Sequence, residues 1–263
     1  MTIPDEPPLR IGTAGWTIPA SFRQAFSAQG TELERYASVF GAVEINTSFH
    51  RPHRTKTYQR WAASVPEAFR FAVKMPRQIS HDRRLVGATP LLDMFLSEIA
   101  GLGDRLGPLL LQLPPSLAFN PATDLRFFSD LRARLEGAAV CEPRHATWFT
   151  PEAGALLAEF RIGRVAAHPA VNPLASTPGG WPGLAYCRLH GEPRVYHSSY
   201  DDAMIGVVIA SLTPHPEGWC IFDNTASGAA TGNALTALSI AESGPHVIVG
   251  PLPPETQKGR PSG

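Results

Sequence analysis

Short apolar runs alternate with helically patterned stretches through most of this chain. Runs of a few residues, bounded by turn signals and separated by helical patterns, read as parallel strands joined by crossover helices. Eight such runs are present, at 11–14, 42–46, 69–74, 107–113, 138–142, 164–167, 184–190 and 219–223. Helix signals fall between them. Thr31 is placed to cap a helix over 32–40 with Glu34 closing a capping box, and Pro151 suits a first helical turn. The stretch 168–183 is rich in proline and glycine and has no helical period, so it reads as a long loop of the kind that often carries function. Eight such units in 263 residues predict an α/β single-domain fold, a (β/α)₈ TIM-type barrel over 11–250. The polar, proline-rich ends, 1–10 and 251–263, have too little apolar surface to order themselves and read as flexible tails.

Side chains alternate faces along a strand, so one inward residue determines its neighbours at every second position. By that parity Glu44 shares a face with Asn46, Lys74 with Ala72, Gln112 with Leu110, and Asp223 with Ile221. Tyr186, Arg188 and His190 form one face of the seventh run. Each of these charged or amide groups falls toward the carboxyl end of its run, where barrels of this type build their sites. The same parity turns Cys141, Cys187 and Cys220 toward the helices as small core residues.

Composition narrows the functional classes. Basic and acidic residues number 23 each, so no global field draws the chain to duplex nucleic acid or to a membrane surface. The three cysteines are widely spaced in apolar runs, which argues against a disulfide framework and for a reducing compartment. No basic, apolar leader opens the chain, and no run approaches the roughly 20 apolar residues that span a bilayer. A cytoplasmic protein is expected.

Several motifs occur in a fixed order: GTAGW from Gly12, VEINTSFHRP from Val43, FRFAVK from Phe69, ISH ending at His81, LLQLPPS from Leu110, EPRHATW from Glu142, RLHG from Arg188, and DNTASGAATGNA from Asp223. Together they cover most of the chain, and it resembles the YecE-like family, a domain of unknown function (domain of unknown function 72). The resemblance implies a TIM-type barrel and no particular reaction. It also implies that the family's motif positions fall on Trp16, Glu44, Asn46, Lys74, His81, Gln112, Pro114, Glu142, Arg144, His145, Trp148, Arg188, His190, Gly191 and Asn224. His50, Pro143 and the DNT run depart from that pattern.

The residue types at the strand ends define the candidate chemistry. Glu44 and Glu142 are placed either as a general acid/base pair, if unlike environments separate their pKa values, or as salt-bridge partners of Lys74, Arg144 or Arg188. Lys74 reads as an electrostatic group or, if desolvated, as a nucleophile. Arg144 and Arg188, with Arg51 and Arg77, offer planar forks for carboxylate or phosphate. Thr225, Ser227 and Gly228 open the final helix, either as a phosphate cradle or as ordinary caps. His190, His145, His81 and His50 are candidate proton carriers or metal ligands. Three acids, Glu44, Glu142 and Asp223, face three bases, Lys74, Arg144 and Arg188, a balance that disfavours a dedicated divalent ion; no metal and no cofactor are expected. Trp16, Trp148, Trp181 and Tyr196 follow strands and serve either to stack on a ligand or to pack the loops.

The reading that joins these features is a metal-independent lyase, isomerase or hydrolase acting by acid/base chemistry on a small anionic molecule, phosphorylated or carboxylated and sugar-like. Glu44, Lys74, Glu142, His145 and His190 are its expected catalytic residues. Trp16, Asn46, His81, Gln112, Arg144, Arg188, Asp223 and Asn224 are its expected ligand contacts. A metal-dependent hydrolase or isomerase, and a non-catalytic ligand-binding or regulatory barrel, are the alternative classes.

Overall fold

The expected strands form with small shifts at their ends, except the sixth, 164–167, which is divided between two strands. In the computed structural model, which describes residues 9–243, they are β1 (Leu9–Thr13), β2 (Ala42–Ile45), β3 (Arg70–Lys74), β4 (Leu106–Gln112), β5 (Ala139–Glu142), β6 (Ile162–Arg164), β7 (Ala166–His168), β8 (Gly179–Gly180), β9 (Ala185–Leu189) and β10 (Gly218–Phe222). The helices are α1 (Glu32–Ala37), α2 (Thr47–His50), α3 (Thr55–Ala63), α4 (Thr89–Ile99), α5 (Pro121–Arg132), α6 (Pro151–Glu159), α7 (Asp202–Leu212) and α8 (Ala229–Glu242). The expected N-terminal tail is shorter than 1–10, because Leu9 and Arg10 already pair with Gly218 and Trp219. The rest of that tail, the expected tail at 251–263 and the stretch 244–250 lie outside the described residues.

Local chemistry explains the helix starts. Thr31 Oγ1 accepts from Glu34 N at 3.3 Å while Glu34 Oε2 accepts from Thr31 N at 2.6 Å, so both halves of the capping box are made. Helix α1 ends at Ala37, short of the expected residue 40. Pro151 opens α6 behind Thr150, whose hydroxyl accepts from Ala153 N at 3.3 Å. The stretch 168–183 forms no α-helix; it contains one 3-10 turn, Pro173–Ser176, and β8.

The strands form two sheets, in the orders β1-β10-β9-β7 and β2-β3-β4-β5-β6-β8. All neighbours are parallel except β8, which runs antiparallel to β6. This is a mixed α/β fold with parallel sheets. Two links join the sheets. Along 162–168 one extended segment serves both: Val165 N donates to Cys141 O at 2.8 Å, and Ala166 then pairs with Cys187. At the other edge Ala14 bridges Glu44, and Gly15 N donates to Glu44 O at 2.8 Å. Below that bridge the Tyr36 hydroxyl replaces the ladder: it accepts from Thr13 N at 2.8 Å and donates to Ala42 O at 3.1 Å. Gly12 is required beside it, since a Cβ there would run into the Ala42 carbonyl.

Two apolar clusters occupy the two faces of the strands. The larger contains helix residues such as Leu92, Phe128, Leu157 and Ile205 together with outward strand residues, Cys141, Cys187 and Cys220 among them. The smaller contains Ala42, Ala72, Leu110, Val140, Val165, Tyr186, Trp219 and Ile221, the strand faces turned away from the helices. The three cysteines are free and buried, as parity requires.

Candidate functional site

Two residues beyond the smaller cluster, in the carboxyl direction, the same strand faces turn polar. Ala42 is followed by Glu44, Ala72 by Lys74, Leu110 by Gln112, Val140 by Glu142, Tyr186 by Arg188, and Ile221 by Asp223. The alternation that packs the interior therefore also delivers a ring of charge above it.

Arg188 is the hub of that ring, with no solvent exposure. Its Nε donates to Glu44 Oε2 at 3.0 Å, and its Nη2 donates to Glu44 Oε1 at 2.7 Å and to Asp223 Oδ2 at 3.0 Å. Its Nη1 donates to Glu142 Oε2 at 2.6 Å. The Tyr186 hydroxyl adds a bond to Glu44 Oε2 at 2.8 Å. Only a guanidinium, with its planar fork of donors, serves three carboxylates at once.

These contacts set the ionisation. Burial alone would raise Glu142, but Arg188, then Arg144 and His190, outweigh it and hold its carboxyl well below the usual range. Burial likewise opposes the Asp223 anion, and Arg188 and His190 prevail, lowering it. Burial works against the Arg188 cation too, yet Glu44, Glu142 and Asp223 push its pKa well up. Glu44 and Glu142 are both bound to one guanidinium, as the salt-bridge alternative expects, and Glu142 is held as the anion.

His190, 1% exposed, stands over the hub. Its Nδ1 lies 2.9 Å from Asp223 Oδ2; because Asp223 is held ionised and can only accept, Nδ1 carries the proton. Its Nε2 lies 2.7 Å from Arg144 Nη2 and 3.3 Å from Glu142 Oε1. With the proton on Nδ1, Nε2 accepts from Arg144 Nη2. Arg144 also pairs with Glu142 Oε1, to which Gln112 Nε2 donates at 3.1 Å.

Lys74 is different. It is 9% exposed, and among the described residues its Nζ makes no hydrogen bond or ion pair, although three carboxylates lie close by. Its ammonium sits 4.4 Å from the centre of the Phe49 ring, which also meets His81 edge-on at 5.1 Å. Burial first, then the charge of Arg188, lowers the Lys74 pKa, against the opposing pull of Glu44, Glu142 and Asp223. Burial, then Lys74 and Arg77, lowers His81 as well. His81 Nδ1 is taken up by Ser80 Oγ at 2.8 Å.

The remaining expected residues separate into two groups. Asn46 Nδ2 reaches Asp223 Oδ1 at 3.5 Å and its buried Oδ1 has no partner. Asn224 ties α8 to the loop after β9, donating from Nδ2 to Ser198 O at 2.8 Å and to Asn233 Oδ1 at 2.9 Å. Both border the ring. His145 does not join it: its Nδ1 accepts from Thr147 N at 3.3 Å and contacts Thr147 Oγ1 at 3.0 Å, capping the 3-10 turn Ala146–Phe149. His145 lies beyond the end of β5, at the start of that turn, where its side chain is used as the cap. Trp16 is also placed in packing, edge-on to Trp61 at 5.0 Å. Trp148 is core, and Tyr196 alone of the four loop aromatics stays largely exposed, at 48%, with its ring 6.1 Å from His190.

The final helix opens at Gly228, whose φ of 80° lies in the left-handed region, and Ser227 Oγ bonds to His197 O at 2.5 Å and accepts from Ala229 N at 3.4 Å. Ser227 therefore acts as a local cap. Phe49 and the Asn233–Tyr200 brace, with Asn233 Oδ1 accepting from Tyr200 N at 3.2 Å, were not foreseen. Phe49 stands in the INTSFH run directly after β2, which is the signal that marks it. Two cavities, about 400 Å³ between α5 and α6 and about 740 Å³ at the amino ends of the strands, lie away from this cluster. The second is lined by Arg10 and Glu217, which pair with each other at 3.7 Å. No helix among the described residues is long and apolar enough to cross a membrane.

Fold and site together define an α/β protein whose parallel strands carry a buried ionic ring at their carboxyl ends. The chain belongs to the family described as "Protein of unknown function DUF72", whose model matches residues 10–258. It is 32% identical over 120 residues to the UPF0759 protein YecE of Escherichia coli (strain K12), a match over 46% of this chain and 43% of that protein. It is 28% identical over 111 residues to the UPF0759 protein YunF of Bacillus subtilis (strain 168), over 40% and 39% respectively. The matched segments thus span less than half the length of these curated relatives. A DUF72 family protein of Thermotoga maritima MSB8 shares the fold, with a TM-score of 0.71 at 22% identity over 89% of this chain and 99% of that one.

Proposed function

We propose that this protein is an enzyme that performs acid/base chemistry on a small anionic molecule at the carboxyl ends of its strands, without a metal. The observation that carries this reading is Lys74. Every carboxylate of the ring is engaged by Arg188, with Arg144, His190 and Tyr186 in support, while Lys74, the one buried lysine among the described residues, has no anion of its own there. A desolvated cation without a partner is costly, and an incoming carboxylate or phosphate supplies the missing charge. Arg144 and Gln112, both half-buried on Glu142, and Asn46 with its free Oδ1, are the neighbouring groups that orient such a ligand. His190, with Asp223 behind it, is the proton carrier; Glu44 and Glu142 hold the cations in place.

Three further points belong to the same proposal. The two sheets act as one closed eight-stranded barrel, with 162–168 and the Ala14–Glu44 bridge as its closures, which is why six strands contribute to one mouth. The carboxylates that a metal-dependent hydrolase would use converge instead on a guanidinium, which favours the metal-independent reading. Free, buried Cys141, Cys187 and Cys220 suit a reducing, cytoplasmic setting.

The test is a thermal-shift series with inorganic phosphate, small carboxylates, sugar phosphates and divalent metals on the intact chain and on Lys74→Met. A ligand at a hundred times its dissociation constant adds about 2.7 kcal/mol of stability. Stabilisation by an anion that Lys74→Met abolishes supports the reading. A flat response to anions, or stabilisation by a divalent metal alone, overturns it.

A further inference from the structure

We infer that Lys74 is a nucleophile that forms a reversible imine with an aldehyde or ketone carried by the anionic ligand, the carboxylates around it being taken up by Arg188 so that the lysine is left without a salt-bridge partner. This deepens the reading of Lys74 as the anion-facing group and rests on it.

Three observations meet at this residue. Only three of the 23 basic residues in the chain are lysine: Lys56, Lys74 and Lys258. Arginine serves the other positions, including both cations of the carboxylate network, Arg144 and Arg188. A guanidinium stays charged and is a poor nucleophile, whereas a lysine loses its proton readily when desolvated or set beside another cation. Lys74 alone of the lysines among the described residues is buried; Lys56 is exposed, and Lys258 lies outside the described residues.

The second observation is the arrangement of its neighbours. All three carboxylates are hydrogen-bonded to Arg188, and none of them bonds to Lys74, which is left without an ion-pair partner among the described residues. The Phe49 face favours the ammonium, but burial and Arg188 act in the other direction and prevail. The third is His81, which shares the Phe49 ring with Lys74 and has its Nδ1 bonded to Ser80. Its Nε2 has no hydrogen-bond partner among the described residues, and the charge of Lys74 is felt at the imidazole, which burial and that charge hold below its ordinary pKa.

The step balances without any other reagent. The Lys74 nitrogen adds to the carbonyl carbon, and the π pair moves to oxygen, which takes a proton while nitrogen gives one up. The resulting carbinolamine loses its oxygen as water after a second protonation, and the nitrogen lone pair forms the C=N bond. His81 first takes the ammonium proton of Lys74, which frees the lone pair for attack, and later delivers that same proton to the departing oxygen as the second protonation. The protonated imine withdraws electrons from the adjoining carbon, which is the condition for removing a proton or cleaving a bond there.

The experiment uses the intact chain with glyoxylate and, separately, dihydroxyacetone phosphate, reduced by sodium borohydride and mapped by peptide mass spectrometry. Reduction converts an imine into a stable secondary amine on one lysine, and Lys56 is the internal comparison. The expected result is an adduct on Lys74 that forms about tenfold or more faster than on Lys56 with at least one of the two probes. Lys74→Arg is expected to keep a thermal shift with inorganic phosphate and to give no adduct at that position. An adduct no faster on Lys74 than on Lys56 with both probes overturns the imine, while a surviving phosphate shift would leave the anion-binding reading in place. Absence of a preferential Lys74 adduct together with absence of any phosphate shift in the intact chain would overturn both.

Discussion

Replacing Arg188 with methionine removes the one cation that touches all three carboxylates while keeping a long apolar stem in its place. Deleting one partner of a buried ion pair costs about 3–5 kcal/mol, because the other charge is left desolvated and unpaired. Arg188 makes four bonds to three carboxylates, and Glu44 and Glu142 have no exposure at all. The expected loss at pH 7 is therefore on the order of 5 kcal/mol, comparable to the whole stability of a small domain. Urea unfolding followed by far-ultraviolet circular dichroism at pH 7 and pH 5 measures it.

The pH dependence carries the sharper test. In the parent chain Glu142 is held well below the ordinary carboxylate value, so its contribution is present above about pH 4.3 and fades only as acid reaches its lowered folded value. In the variant a carboxylate stranded in the interior takes up a proton on folding, and the stability tied to that proton is lost as pH rises. The deficit relative to the parent should accordingly be smaller at pH 5 than at pH 7, and Glu44→Gln placed in the Arg188→Met background should recover part of it. A loss below about 1 kcal/mol, or an equal deficit at both pH values, would refute the claim that this ring is desolvated and held by Arg188.

Other perturbations address the rest of the frame. Tyr36→Phe leaves Thr13 N and Ala42 O without their shared partner at the thin seam between β1 and β2; a loss of about 2–4 kcal/mol in urea unfolding is expected, and a loss below about 0.5 would show that the hydroxyl is not the seam's support. Burial pushes the Asp124 carboxyl from its ordinary 3.8 up to about 6. The folded chain then binds that proton more tightly than the unfolded chain, so stability from this group falls as pH rises from about 4 to about 6. Asp124→Asn should remove a fall on the order of 3 kcal/mol across that window, and an unchanged profile would refute the assignment. Thr31→Ala breaks the capping box of α1 and should cost about 1 kcal/mol, read from the same unfolding curves.

Much of the architecture was legible along the chain. Seven of the eight expected strands differ from the observed ones by a residue or two at their ends, the sixth, 164–167, is divided between β6 and β7 in different sheets, β8 has no counterpart in the pattern, and the capping box at Thr31 and Glu34 forms as the motif requires. Strand parity also put Glu44, Lys74, Gln112, Glu142, Arg188 and Asp223 on one face, and the side chains obey it. His145 was included because it stands in the EPRH run; it lies beyond the end of β5 and caps a turn instead. Trp16 and Trp148 are spent on packing, which no local pattern distinguishes from stacking on a ligand.

What the sequence by itself determined is the set of inward polar groups and their height along each strand, because alternation and strand ends are local properties of the backbone. Which group pairs with which was decided only by the tertiary structure. Glu44 and Arg188 are 144 residues apart and Glu142 and Arg188 are 46 apart, and their distances exist only once the two sheets are packed together. That arrangement gives all three carboxylates to one guanidinium and leaves Lys74 buried against Phe49 without a counter-ion, because charges in a low-dielectric interior are governed by their nearest partners and not by their number.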